Sequence, residues 1–328
     1  MGSVFEPRAY RDLFKGNDLV FFNCAVRETD LQIGVRAEQE LPELRTVQGN
    51  PGRGSLCSFW DSGESTIEPG GEHTVKPATA KSSHTIKISL SGGLGGTPGS
   101  NVCRRIGHVA RPGQARSPVA ATIIQTEAFM SVMRHRASIE DYAARHPEFI
   151  TSFVPLKVAA DAPAIVRRMC LAGELAGVGP MAAVAGAISE FVGMDLLQHS
   201  LEVIVENGGD IFLKTSSTRK IGIYAGSSPL SEKMALEIPA ASTPLGICTS
   251  SGTVGHSVSF GHADAAVVLA QDTALADSVA TALGNIAQSE SDLKKAVRFA
   301  SKVPGISGAL VILGDKMAVW GEVKLVGM

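Results

Sequence analysis

Three short stretches carry residue types and spacings that could do chemistry. The first is Glu206-Asn207-Gly208-Gly209-Asp210. Asn-Gly and Gly-Gly pairs tolerate positive φ, so the stretch reads as a hairpin turn. Paired glycines also let a ligand approach the backbone, with Asn207 and Asp210 at hand to bond a base, a ribose or a metal-bound water. The second is Thr249-Ser250-Ser251-Gly252-Thr253. Its hydroxyls and N–H groups can form an anion nest, or can simply satisfy their own backbone. The third is ADSVATAL at residues 276–283. On a helix Asp277 and Thr281 are i and i+4 and share one face. A carboxylate and a hydroxyl one turn apart are hard oxygen ligands of the kind magnesium takes together with phosphates and water. The plain alternative is a solvated Asp277 beside a Thr281 without a role.

Two further residue types sit close to these stretches. His256 and His262 are six apart in GHSVSFGH, on one face if the segment is a strand. His256 follows the hydroxyl loop and is the candidate general acid or base. Cys248 directly precedes that loop. It reads either as packing at a strand end or as a reactive thiol.

These residues need elements to position them. Residues 19–35 (LVFFNCAVRETDLQIGV) read as two strands joined by a turn near 28–30. Residues 122–145 read as a helix with Ile123, Ile124, Phe129, Met133 and Ile139 on its apolar face, ended by His146-Pro147. Asp161 is the expected N-cap of a second helix running to about Gly177, with Pro163 in its first turn. Pro180 opens a third, apolar nearly all round and so buried. Strands are expected at 201–205, 210–214, 221–224, 245–248 and 265–269. Helices follow at 273–286 and 291–300, and the end of the chain reads as a hairpin, ALVIL-GDK-MAVWG. Helices, then strands, then helices and a hairpin make an α+β fold, not a regular βαβ series.

Residues 46–118 are different. Gly, Ser and Pro dominate them, SLSGGLGGTPGS resembles a flexible linker, and only HTIKISL at 84–90 has strand character. The expected organisation is therefore residues 1–45 as N-terminal strands of the domain, 46–118 as a flexible insertion, and 119–328 as the remainder.

Composition narrows the function classes. Over 328 residues, Lys+Arg 30 against Asp+Glu 32 gives a net charge of -2. That balance argues against a nucleic-acid binder. No run of about 20 apolar residues suits a membrane span, and the first residues lack a signal-peptide pattern. Five scattered cysteines form no C-x-x-C pair, which argues against disulfides and structural zinc and suits a reducing cytoplasm.

In this order, ENGGDI, CTSSG and ADSVATAL resemble the signature stretches of the ApbE superfamily of flavin transferases. The fuller texture is similar to the uncharacterised ApbE-like branch, which has no assigned reaction. RETDLQIGV, IEDYAARHPEF, VGPMAAVAGAISEFVG, YAGSSPLSEKM and GICTSSGTVGHSVSFGHADAAVVLA carry that resemblance. It implies an ApbE-like, T-fold-like mixed sheet with packed helices, interrupted by the Gly/Ser/Pro-rich insertion. It implies magnesium ligands at Asp277 and Thr281, a flavin-nucleotide turn at Asn207, Gly208, Gly209 and Asp210, and a metal-side loop at Thr249, Ser250, Ser251 and Gly252. The transferases' H-I-I-D-P-x-T-G stretch is replaced here by GHSVSFGHADA, so His256 is a loose stand-in for their histidine. Their lysine-bearing G-G-I-A-K-G-like helix start is GPMAAVAGA here, without lysine.

The expected function is binding of a flavin nucleotide such as FAD, or a related small nucleotide-type ligand, with Mg2+, and pyrophosphate cleavage or FMN transfer. The alternative is an accessory or sulfur-metabolism protein using the same pocket and Cys248. The apolar C-terminal hairpin would suit a homodimer contact and suits a core equally well.

Overall fold

A computed structural model describes residues 19–26, 29–36, 84–87, 118–251 and 261–328, with the backbone alone at 84–87 and 118–121. The chain divides into two units, Met1–Gln39 with Ser83–Met328, and Glu40–Ser82. All described residues belong to the first.

Its strands are β1 (Leu19–Val26), β2 (Thr29–Arg36), β3 (His84–Lys87), β4 (Val203–Asn207), β5 (Asp210–Lys214), β6 (Arg219–Gly222), β7 (Met234–Ile238), β8 (Leu245–Ser250), β9 (Ala265–Ala270), β10 (Ile306–Leu313), β11 (Lys316–Gly321) and β12 (Leu325–Gly327). Its helices are α1 (Pro118–Arg145), α2 (Glu148–Thr151), α3 (Ala164–Ala176), α4 (Val184–Leu196), α5 (Thr273–Ile286) and α6 (Leu293–Ala300). Eight strands form one sheet in the order β1-β2-β4-β5-β8-β9-β10-β11, and every neighbouring pair is antiparallel. Four form a second sheet, β12-β7-β6-β3, whose β3–β6 pair is parallel.

The large sheet has two apolar faces, as a sheet in the middle of three layers must. Val203, Val205, Phe212, Cys248, Ala266 and Val268 face the helices. Ile204, Ile211, Leu213, Ile247, Val267 and Leu269 face the four-stranded sheet. Period-two alternation along β4, β5 and β8 thus assigns each side chain to one layer. Gly193 lets α4 lie on β5, because a Cβ there would stand 2.1 Å from the Phe212 ring.

The expected α+β class, the hairpin of β1 with β2, the helix at 273–286 and the terminal hairpin of β10 with β11 are all present. Two local expectations fail. Ile123, Phe129 and Met133 are exposed, while Ala128, Ser131, Val132, Ile139 and Tyr142 are buried. The buried face of α1 includes polar residues because Asp195 on α4 accepts from Ser131 (2.6 Å) and His135 (2.9 Å). Asp161 does not cap α3. The cap position is Pro163, without a side-chain bond, and Asp161 pairs with Arg145. β7 and β12 had no clear signal, and β3 lies inside the stretch read as an insertion. Among the described residues no single helix is long and apolar enough to cross a membrane.

Candidate functional site

Three elements converge at one edge of the helical face. The first is the β4–β5 turn, where Gly208 and Gly209 take φ of 66° and 106°. Glu206 stabilises it by accepting the Gly209 N–H through Oε1 at 2.9 Å. Alternation puts Asn207 and Asp210 on the helix side of the sheet, opposite each other in register. Asn207 donates through Nδ2 to the Ala185 carbonyl at the start of α4 (3.2 Å).

The second element is α5. Asp272 caps it by accepting from the Leu275 N–H (2.8 Å). Glu190, buried on α4, accepts the Thr273 N–H at 2.6 Å. Arg168 holds Asp272 at 2.8 Å. One turn beyond this cap Asp277 points toward α4, where its Oδ2 accepts the Gly186 N–H at 2.8 Å. Close approach of the helices requires glycine at 186. A Cβ there would lie 2.5 Å from the Thr273 carbonyl and 2.8 Å from the Asp277 Cβ.

The third element is the end of β8. Cys248 and Ser250 face α5, as does Gly246, where a Cβ would stand 2.6 Å from the Thr273 Cα. The Cys248 Sγ lies 3.3 Å from the Thr273 carbonyl.

Electrostatics mark this place. Asp210 and Asp277 are both buried. Burial, then the Asp277 charge, push the Asp210 carboxyl well above its ordinary range; the Cys248 side chain and the Thr249 N–H offset this in part. Burial pushes Asp277 up to about 7, against the N–H groups of Gly186 and Ala185. Glu190 is pushed up to about 7 by burial and the Asp272 charge, against Arg168 and the N–H groups of Thr273 and Ala274. None of the causes acting on Asp210 or Asp277 is a basic side chain. Two buried carboxylates that meet no countercharge among the described residues, in a low-dielectric place, have the character of a cation site.

The donor set was compared with what magnesium needs. Among the described residues no three His, Cys, Asp or Glu side chains gather into a metal cage. Magnesium is commonly held by one or two carboxylates, the rest coming from phosphate and water. Asp210 Oδ1 and Ser250 Oγ are buried and have no hydrogen-bond partner. Thr281 lies one turn beyond Asp277 on α5 and is half-buried. The residues fit such an ion.

The structure therefore gathers Asn207, Gly208, Gly209, Asp210, Ser250 and Asp277 at this edge. It separates Thr249, whose side chain points to the other face. There it lines a small gap between the sheets, with Ile221, Tyr224, Leu236, Ile247 and Val267. Only its backbone N–H serves the site, because alternate residues of a strand cannot share a face. Ser251 is buried at the end of the described run, and Gly252 and His256 lie outside the described residues. Cys248 is not at a pocket edge. It is fully buried, and burial with the charges of Asp210 and Asp277 pushes its thiol far up. A thiol so placed is a packing group and not a nucleophile. Glu190, Arg168 and Asp272 were missed. Their signal was present, since Asp272 sits just before the expected helix, but nothing local joins it to Glu190.

A family model described as "AbpE bacteria" matches residues 115–319. A UPF0280 protein of Methanococcus aeolicus is 47% identical over 198 residues, covering 59% of this chain and 80% of the relative. One from Methanocella arvoryzae is 46% identical over 193 residues, covering 58% and 78%. Among solved structures, a histidine-to-glycine variant of the flavin transferase ApbE from Vibrio cholerae aligns with a TM-score of 0.43 at 12% identity, covering 92% of this chain and 97% of that one. The apo flavinyl transferase ApbE of Pseudomonas stutzeri gives a TM-score of 0.31 at 19% identity, covering 44% and 48%, so this chain spans less than half of it. The family model, which matches well over half of the chain, defines the class, a protein of the ApbE-like type. Within it, the chain belongs to the AbpE bacteria family and groups with the UPF0280 proteins.

Proposed function

We propose that the protein binds a flavin nucleotide such as FAD, or a closely related phosphate-bearing ligand, together with magnesium at the edge formed by β4–β5, α5 and β8. Turnover would be cleavage or transfer across the ligand's pyrophosphate. The observation that carries this reading is the buried Asp210–Asp277 pair, with no basic side chain among the causes acting on it within the described residues.

Asp277 and Thr281 would hold the metal, with Asp210 facing it. What the ion supplies when bound is neutralisation of phosphate charge and orientation of the attacked phosphorus. Gly208 and Gly209 let the ligand approach the turn without a side chain in the way. A Cβ at Gly208 would meet nothing within 4 Å, so that side is open. Asn207, Ser250, Ser251, Gly252 and the Thr249 N–H position the ligand. His256 accepts the proton in this scheme.

The test is titration of FAD into the purified protein with and without magnesium, read by flavin fluorescence and by AMP release. Magnesium-dependent binding that Asp277→Ala abolishes is expected. AMP release lost in His256→Asn supports turnover. Absence of FAD binding in both conditions overturns the flavin reading.

A further inference from the structure

The terminal hairpin has one strand inside the molecule and one at its rim. Ala309, Leu310, Val311 and Ile312 of β10 are fully buried. β11 ends the eight-stranded sheet, with β10 as its one neighbour among the described residues. The turn Gly314-Asp315 closes on the pair Leu313–Lys316, and a two-residue turn closes on a hydrogen-bonded pair. Alternation along an antiparallel ladder then commits the backbone groups of Lys316, Ala318 and Trp320 to β10. It turns the N–H and C=O of Met317 and Val319 to the open edge. Sheet edges are ordinarily blunted by proline, a bulge or charge. β11, KMAVWG, has no proline and meets β10 without a register shift. The side chains beside its open groups are apolar and exposed, Met317 at 43% and Val319 at 42%.

Charge shows what fits this edge. Lys316 is exposed at the start of β11 and rests on the equally exposed Asp315 at 2.9 Å, a surface pair of a kind that contributes little. Glu322 is exposed just past the other end. It stays in line with the strand, because its N–H bonds the Ser307 carbonyl on β10 (2.8 Å), the next step of the ladder after Gly308–Gly321. Lys316 and Glu322 therefore stand three residues to either side of Val319. A two-fold axis at Val319, bringing two β11 strands together antiparallel, sets each Lys316 opposite the Glu322 of the other copy. Val319 meets itself, and the two exchange N–H to C=O bonds through groups that already face outward. Ala318 meets Trp320, small against large, and Met317 meets Gly321, which has no side chain to displace. An axis one residue away, at Ala318, also joins outward groups, but it sets Lys316 opposite Trp320 and Glu322 opposite Gly314.

We infer that the β11 edge is the interface of a homodimer, in which the large sheet continues from one copy into the next about a two-fold axis at Val319. The partner is a second copy of this chain because the opposite charges lie symmetrically about the middle of the open edge, which is what a self-complementary contact requires. The inference is independent of the ligand proposed for the Asp210–Asp277 edge.

The experiment is sedimentation velocity of the full chain over a micromolar concentration series. A concentration-dependent dimer is expected. Val319→Lys places like charges opposite each other at the axis and is expected to weaken the dimer at least about tenfold. Lys316→Glu and Glu322→Lys each create two like-charge pairs and are expected to weaken it about fivefold. The double reversal, Lys316→Glu with Glu322→Lys, restores opposite charges and is expected to return affinity to within about twofold of the wild type. All three positions are exposed, and circular dichroism checks that each variant is folded. A wild type that stays monomeric would overturn the inference. So would a dimer that Val319→Lys leaves intact, which puts the contact on another surface. A double reversal that fails to restore the dimer would equally contradict the pairing of Lys316 with Glu322.

Discussion

A raised carboxyl pKa is a statement about stability as well as about chemistry. Asp277 and Glu190 are each pushed up to about 7, from ordinary values of 3.8 and 4.5. Between those limits the folded chain holds protons that the unfolded chain has released. The contribution of these two groups therefore falls as pH rises from about 4.5 to about 7, with a slope approaching about 1.4 kcal/mol per pH unit for each, and Asp210, pushed well above its ordinary range, acts in the same direction. Urea unfolding across this range, without divalent ions, measures the slope. Glu190→Gln is expected to remove part of it while keeping an acceptor for the Thr273 N–H. Stability that is constant or rises from pH 4.5 to 7 contradicts the placement of these acids. At this scale the sequence was informative about type and spacing. Asp277 with Thr281, and Asn207 with Asp210, were visible as pairs. That Thr249 points away from Ser250 was also implicit in strand alternation. What stayed hidden was burial. Cys248 looked like a strand-end thiol, and only the packing of α5 over β8 shows that it is enclosed.

Among elements, the decisive contact is α4 against α5. Gly186 allows the Thr273 carbonyl and Asp277 to approach α4, and the N–H of Gly186 then bonds the carboxylate. Gly186→Ala would force backbone apart, because the nearest atoms are a carbonyl and a Cβ, not the end of a flexible side chain. A cost of about 1–3 kcal/mol is expected, together with loss of magnesium-dependent ligand binding. Urea unfolding checks the first and the FAD titration the second; a variant with unchanged stability and binding contradicts the close-packed interface. The sequence shows a glycine in an apolar helix but not the partner it meets, since that contact spans 91 residues. Long-range pairing also explains the misread face of α1. Size alone selected Ile123, Phe129 and Met133, whereas α4 presents Asp195 and so draws Ser131 and His135 inward. The bounds of helix α5 were legible because its apolar periodicity is local, although its cap, Asp272, was not singled out.

For the whole molecule, the eight-stranded sheet separates two chemistries. Its helical side gathers buried acids without basic partners at one end of β4. Its other side, at the opposite end, buries the Glu202–Arg219 ion pair. Family membership fixes the class of protein, and the Asp210–Asp277 edge is where the proposed ligand would be met. The α+β order was readable from the succession of elements, but β7 and β12 were not, because short strands with charged residues such as Glu237 are defined by the sheet they join. In the proposed function Asp210 and Asp277 form a cation site. Calorimetric titration of magnesium into the wild type and Asp277→Asn at pH 8 decides this. The asparagine keeps an oxygen for the Gly186 N–H while removing the charge. Saturable binding to the wild type, weakened at least tenfold in the variant and lost at pH 5 where the acids hold their protons, is the predicted result. No binding to the wild type at pH 8, or equal binding to both proteins, would contradict it.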